Sequence, residues 1–246
     1  MKVRVEKKGA TSPTDLRVLS LDHERKTGER FDDIQLTALN VIESSLSNCV
    51  FSRIRARSVS LGAGLTQSVF TDCLFDHCEF VFGAVGNARL VRCRFESCSL
   101  ENLFGTELEM LDCTFPSTTI RKAVFHGSTV SAAGRVAFRK NNQLERNDFS
   151  TTRLIDVDFR GGVDLTGQKL PISDDLLYVP DTRVALEFVK EICASAFAAN
   201  PETRKQCRAL TGVLELYCES NQRTQILQLG AWGETGRELR RRLAAE

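Results

Sequence analysis

The chain has 246 residues, 42% of them apolar, with 33 basic side chains against 32 acidic ones. That length can bury a sizeable core, and a net charge of +1 gives no whole-protein field to draw in nucleic acid or an anionic membrane. The composition also excludes a disordered or collagen-like chain.

The opening stretch, MKVRVEKK, mixes charge with its apolar residues and has no apolar run of signal-peptide length. No uncharged apolar run anywhere reaches the roughly 18 residues of a membrane helix. Nine cysteines, an odd count without a secretory signal, read as reduced thiols, so a soluble cytoplasmic protein is expected. Residues 1–38 show no five-residue phase. Val3–Val5 and Leu16–Leu21 are extended candidates separated by Gly9, Pro13 and Gly28. This segment is expected to cap the repeat region, because an open sheet edge needs a cover.

From about residue 39 a period of five takes over. Phe70, Phe75, Phe80, Val85, Leu90, Phe95 and Leu100, then Met110, Phe115, Ile120, Phe125 and Val130, fall at every fifth position, with Gly105 the one blank. Leu46, Phe51, Ala56 and Leu61 keep the spacing upstream, and a one-residue deletion precedes Leu65 and Phe70. Two residues before each centre lies a mostly small series, including Cys49, Ser68, Cys73, Cys78, Ala88, Cys93, Cys98, Cys113, Thr118, Ala123 and Ser128. Ile54, Val59, Leu103 and Leu108 break that rule. Neither a helix nor a strand has this period. A short extended piece and a bend per repeat would give it, and four such sides close a square coil. A twenty-residue overtone agrees, with Phe75, Phe95 and Phe115 in one column and Cys73, Cys93 and Cys113 in another.

Cys78-Glu79-Phe80, Cys93-Arg94-Phe95 and Cys113-Thr114-Phe115 carry a resemblance to the pentapeptide-repeat proteins, whose consensus is a small residue, a polar one, Leu or Phe, and two variable positions. The resemblance covers roughly residues 40 to 170. It implies a mainly β chain, a right-handed quadrilateral β-helix with both columns pointing inward, and a bacterial source. Coils would stack about 4.8 Å apart, and about six of them would make a rod roughly 25–30 Å long. The expected domains are an N-terminal cap over 1–38, the β-helix over 39–171 and a helical C-terminal segment over 172–246.

Residues 131–146 lose the phase, and pacing resumes at Phe149, Leu154 and Phe159. A polar insertion there should project as a loop, which makes Arg135, Arg139, Lys140 and Arg146 partner-contact candidates. Beyond Asp181, a helix cap, an i, i+4 stripe runs from Val184 to Phe197. Pro201 opens a second helix that carries Cys207, Leu210, Leu214 and Tyr217 and extends toward Leu229, and a last one runs from Glu234 to Ala245. Phe188, Ile192, Phe197, Leu210, Leu214 and Trp232 exceed what a β-helix end can cover, so they are dimerisation candidates and a homodimer is expected.

Chemistry is sparse. The cysteines have no zinc-site spacing and read as small buried side chains, so no metal or other cofactor is expected. Three histidines, His23, His77 and His126, lack a nucleophile in fixed relation, and no nucleophile elbow, phosphate loop or HExxH is present. An enzyme is not expected; one would need a pocket near Tyr178, Asp181 and Arg183. Some relatives implied by the resemblance protect gyrase by presenting an acidic, duplex-like face. Residues 39–171 carry 15 basic and 14 acidic side chains, too balanced to mimic a phosphate backbone. Direct nucleic-acid binding through Arg53, Arg55 and Arg57 or Arg240, Arg241 and Arg242 is likewise not expected, since a solvated face explains them. The function expected is a non-enzymatic scaffold for an unidentified protein partner, with a topoisomerase-directed DNA mimic as the alternative.

Overall fold

The computed structural model describes residues 17–129, 139–195 and 201–245. Over them the chain is mainly β, a parallel-strand solenoid of about five turns followed by three helices. Four columns of paired residues define four sides. Phe31, Phe51, Phe75 and Phe95 stack on one, and Leu46, Phe70, Leu90, Met110 and Leu144 on the next. Leu36, Ala56, Phe80, Leu100, Ile120 and Leu154 make the third. Leu21, Val41, Leu61, Val85, Gly105, Phe125 and Phe159 make the fourth. Phenylalanine rings continue the first column through Phe115 to Phe149, with centroids 4.4 to 5.1 Å apart. That spacing matches the distance between neighbouring strands.

The bend of each repeat lies two residues after its centre. His23, Asp33, Asn48, Arg53, Asp72, His77, Arg92, Asp112 and Arg146 are among the corner residues that hold a left-handed backbone, with φ of 50–55°. Asp, Asn and His tolerate this region best, yet arginines adopt it here too. Corner amides stay paired across coils, as Asp72 N to Val91 O at 3.0 Å shows.

The small inward series has a hydrogen-bonding task as well as a steric one. Cys98 Sγ accepts the backbone N–H of Cys78 at 3.4 Å, Thr118 Oγ1 that of Cys98 at 3.1 Å, and Asn147 Oδ1 that of Cys113 at 3.0 Å. The same side chains donate back to carbonyls in the neighbouring coil: Cys98 to Phe75 O, Thr118 to Phe95 O and Asn147 to Met110 O. Buried backbone groups at the bends thus find partners. Two of the four departures from the small rule are volume swaps. Ile54 stands beside Ala56, and Leu103 beside Gly105, so a large side chain at the small position fills what the centre lacks. A Cβ on Gly105 would lie 2.9 Å from that of Leu108.

Three boundaries differ from the sequence expectation. The solenoid begins at Val18, not at residue 39: strands Val18–Asp22, Arg25–Thr27, Arg30–Asp32 and Gln35–Leu36 pair with the next coil in parallel. Lys26 at a centre and polar residues elsewhere hide this first coil in the sequence, and residues 1–16 of the expected cap lie outside the described chain. The phase change before Phe70 is a four-residue insertion rather than a deletion. Coil partners there are 24 residues apart instead of 20, and Leu65, which the spacing places in the core, is 65% exposed. The second helix also stops early, at Glu219. The chain turns at Asn221 and enters a strand, Gln225–Gln228, antiparallel to Leu176–Val179.

The helices α1 (Thr182–Ser195), α2 (Pro201–Glu219) and α3 (Gly233–Leu243) pack with that strand pair around their own core. Ile192, Leu210 and Leu214 are buried in it, and Phe188 and Trp232 pack against it half-buried. These dimerisation candidates therefore find their cover within the chain, and Phe197 lies outside the described residues. The fusion of tail to solenoid has no counterpart in the sequence pattern. Gln222 Oε1 accepts the N–H groups of Gly162 and Val163, Thr224 Oγ1 that of Leu165, and Gln228 Oε1 that of Asp156. Gln222, Gln225 and Gln228 donate in turn to Val163 O, Phe159 O and Leu154 O. Side-chain amides cap the last coil where a further strand would otherwise sit.

Candidate partner-binding edge

One corner of the solenoid, between the Leu21 and Leu46 columns, carries both insertions. The first holds residues 62–66. Gly62 and Gly64 have φ of 71° and 100°, and a Cβ would collide with the Asn87 backbone at the first and with the Glu43 carboxylate at the second. Glu43 Oε1 accepts the N–H groups of Leu65 at 2.6 Å and Thr66 at 3.3 Å. These two donors hold the Glu43 carboxyl below its ordinary range. His23 Nε2 lies 3.0 Å from Glu43 Oε2. The hydrogen bond and charge of Asp22, with Glu43 behind them, raise the His23 pKa above its usual value.

The second insertion separates coil partners by 34 residues. Its described stem is closed by Thr129 N to Lys140 O at 3.0 Å, Thr129 Oγ1 to Arg139 O at 2.7 Å and an antiparallel bridge from Ser128 to Asn141. Polar side chains stitch this stem to the coils and to the first insertion. Asn87 Nδ2 donates to Leu65 O at 3.2 Å, and Asn87 Oδ1 accepts from Arg139 Nη1 at 2.8 Å. Arg139 also donates to Glu107 O and to Asn142 Oδ1, and Asn142 Nδ2 donates to Thr106 O and His126 O. Buried Glu109 closes the network, accepting from Arg89 Nη1 and Gln67 Nε2, each at 2.9 Å, with Arg139 Nε at 3.6 Å. Two large apolar side chains nearby in the fold's coils are exposed, Leu65 on the first insertion and Phe104 (53% exposed) on the strand paired with Val124.

Of the contact residues that the sequence suggests, Arg139 is thus a half-buried brace and Lys140 an exposed neighbour on the same stem. Arg146 belongs to another corner, where it grips Asp112 with two bonds of 2.7 and 2.9 Å, and Arg135 lies outside the described residues. Along that corner Asn48, Asp72, Arg92, Asp112 and Arg146 follow one another, and Arg92 grips Asp72 with two bonds of 2.7 Å. The charges alternate, so no continuous acidic strip forms there. Glu43, Asn87, Asn142 and Glu109, which build the edge, are not among the residues that the sequence suggests. Asn142 alone carries a sequence signal, a polar residue at an inward position beside the lost rhythm, whereas Asn87 and Glu109 sit in regular stretches of the repeat and look like ordinary polar positions.

Other candidates disperse. Arg53 pairs with Asp33, and Arg55 with Glu79. Arg240 donates to Ser173 O and Leu176 O, and Arg241 and Arg242 pair with Glu238. Asp181 caps α1 through Arg183 N at 2.9 Å and faces Arg223, whereas Tyr178 lines a different cleft with Arg240. Tyr178, Asp181 and Arg183 do not converge on one pocket. All nine cysteines are free thiols, and burial pushes Cys193 up to about 11. No His, Cys, Asp and Glu group among the described residues could hold a metal ion, and no described helix is long and apolar enough to cross a membrane.

No protein-family model matches the chain, and no curated protein matches it. Solved structures similar to it include two trypsin-treated variants of QnrB1, a plasmid-mediated fluoroquinolone resistance protein. One is 10% identical over 61% of this chain and 79% of its own, with a TM-score of 0.23. The other is 14% identical over 62% of this chain and 88% of its own, with a TM-score of 0.18. The fold assignment rests on the strand registers above.

Proposed function

We propose that the chain is a non-enzymatic, pentapeptide-repeat scaffold of the bacterial cytoplasm that presents its insertion edge to a protein partner. The observation behind this reading is the bridge from Leu65 through Asn87 to Arg139, which ties two loops distant in sequence into one surface. Loops on a rigid frame are where binding residues concentrate, and an exposed leucine on a loop braced by polar side chains suits a protein contact. The alternating corner charges speak against the DNA-mimic alternative, which needs an unbroken negative face. Self-association through the tail is not part of the proposal, because Ile192, Leu210 and Leu214 are buried within the chain.

The test is affinity capture from host lysate with three variants beside the wild type. Leu65→Glu and a chain with residues 131–138 replaced by a short glycine linker should each lose a specific partner. Ser99→Arg, at the far side of the coil, should keep it. A partner lost only with Ser99→Arg, or held by all three, contradicts the proposal; recovery of gyrase subunits on an unmutated edge would favour the mimic.

A further inference from the structure

The junction of solenoid and tail encloses a cleft of about 440 Å³, within the roughly 300–1,000 Å³ of small-molecule sites. Its walls are apolar: Val157 of the last coil, Val213 and Leu216 of α2, Ile226 of the closing strand and the indole of Trp232. Leu216 is 63% exposed at the rim.

The polar groups of the lining are mostly committed to one another. Asp158 Oδ1 accepts the Tyr217 hydroxyl at 2.8 Å and Gln225 Nε2 at 3.0 Å, and its Oδ2 accepts Arg160 Nε at 2.6 Å. Gln228 uses both ends of its amide, on Asp156 N and Leu154 O. Arg160 is therefore balanced by Asp158. The side chain of Asp156, exposed at a left-handed corner with φ of 53°, has no hydrogen-bond or ion-pair partner among the described residues. The lining thus carries one uncompensated negative charge beside an indole and an aliphatic wall.

We infer that this cleft binds a small organic cation with an apolar or aromatic body. The ammonium sits against Asp156, while the body covers Val213 and faces Trp232, against whose indole an aromatic ring can pack. Burying the body against these walls removes apolar surface from water. The charge selects the sign of the ligand, because an anion would meet an unpaired carboxylate at close range. Such a ligand touches both the last coil and the tail, independently of the partner edge on the other corner.

Trp232 is the only tryptophan in the chain, so its fluorescence reports on this cleft alone. The probe is 2-phenylethylammonium, with 3-phenylpropionate as the anion of similar body. The cation should give a saturable change, with the anion at least about tenfold weaker, as expected for opposite signs at one charge. Asp156→Asn, which suits the left-handed corner, should weaken the cation about fivefold. Val213→Phe, which fills the cleft, should abolish the response while the melting temperature stays near wild type. An anion that binds as well as the cation, an unchanged affinity in Asp156→Asn, or no saturable response from the wild type overturns the inference.

Discussion

Asn147 occupies the inward position where the coils before it carry Cys49, Cys73, Cys93 and Cys113. Its amide accepts the Cys113 N–H and donates to Met110 O, both buried. A cysteine or threonine does the same work one coil at a time, which is why these types recur along the solenoid and why six of the nine thiols stand there. Asn147→Ala should cost about 1–3 kcal/mol for each of the two groups it strands. Thr151→Ala, at an exposed turn nearby, should stay within about 0.5 kcal/mol. Equal denaturation midpoints for the two variants would contradict the capping role. Stacking of small residues is visible in the sequence. Their hydrogen-bonding purpose is not, because Cys, Thr and Asn share no side-chain group and only coil geometry unites them.

At the scale of elements, the corners carry the exposed charge. The guanidinium of Arg92 holds Asp72 below the usual carboxylate range, and that of Arg146 does the same for Asp112. A depressed carboxyl contributes stability above its unfolded pKa and loses it as pH falls through the folded value. The contribution is thus present at neutral pH and disappears in acid, below about pH 4. Arg92→Gln should therefore flatten the fall of melting temperature between pH 5 and 2, and added salt should shrink the difference. An unchanged acid profile would show that these pairs add nothing to the fold. Period and columns are legible from residue 39 onward because bulky side chains recur there at every fifth position over long runs. The first coil is not, since Lys26 holds a centre with its aliphatic stem. The glutamine cap is hidden for a related reason: Gln222, Gln225 and Gln228 look like an ordinary polar turn until the last coil's free amides are placed beside them.

On the scale of the whole molecule, a rod of stacked coils carries two projections on one corner and a small helical unit on its end. The tail buries most of its described apolar stripe in its own core and meets the rod through side-chain amides and Ile226, which packs into the solenoid core. Its helices are legible from Asp181, Pro201 and the stripe, but their packing is not, because the strand Gln225–Gln228 that completes their core reads as a helix extension. The insertions are visible as lost rhythm. What couples them, Asn87 and Arg139, sits 52 residues apart in sequence. The functional proposal stands on that coupling, so the direct measurement is amide hydrogen exchange of residues 62–67 in wild type and in Arg139→Ala. Loss of the guanidinium frees Asn87 and, through it, the loop, so exchange at Leu65 and Thr66 should accelerate while the Phe75 strand stays protected. If those amides exchange at the wild-type rate, the two loops move independently and the edge is not a single binding surface.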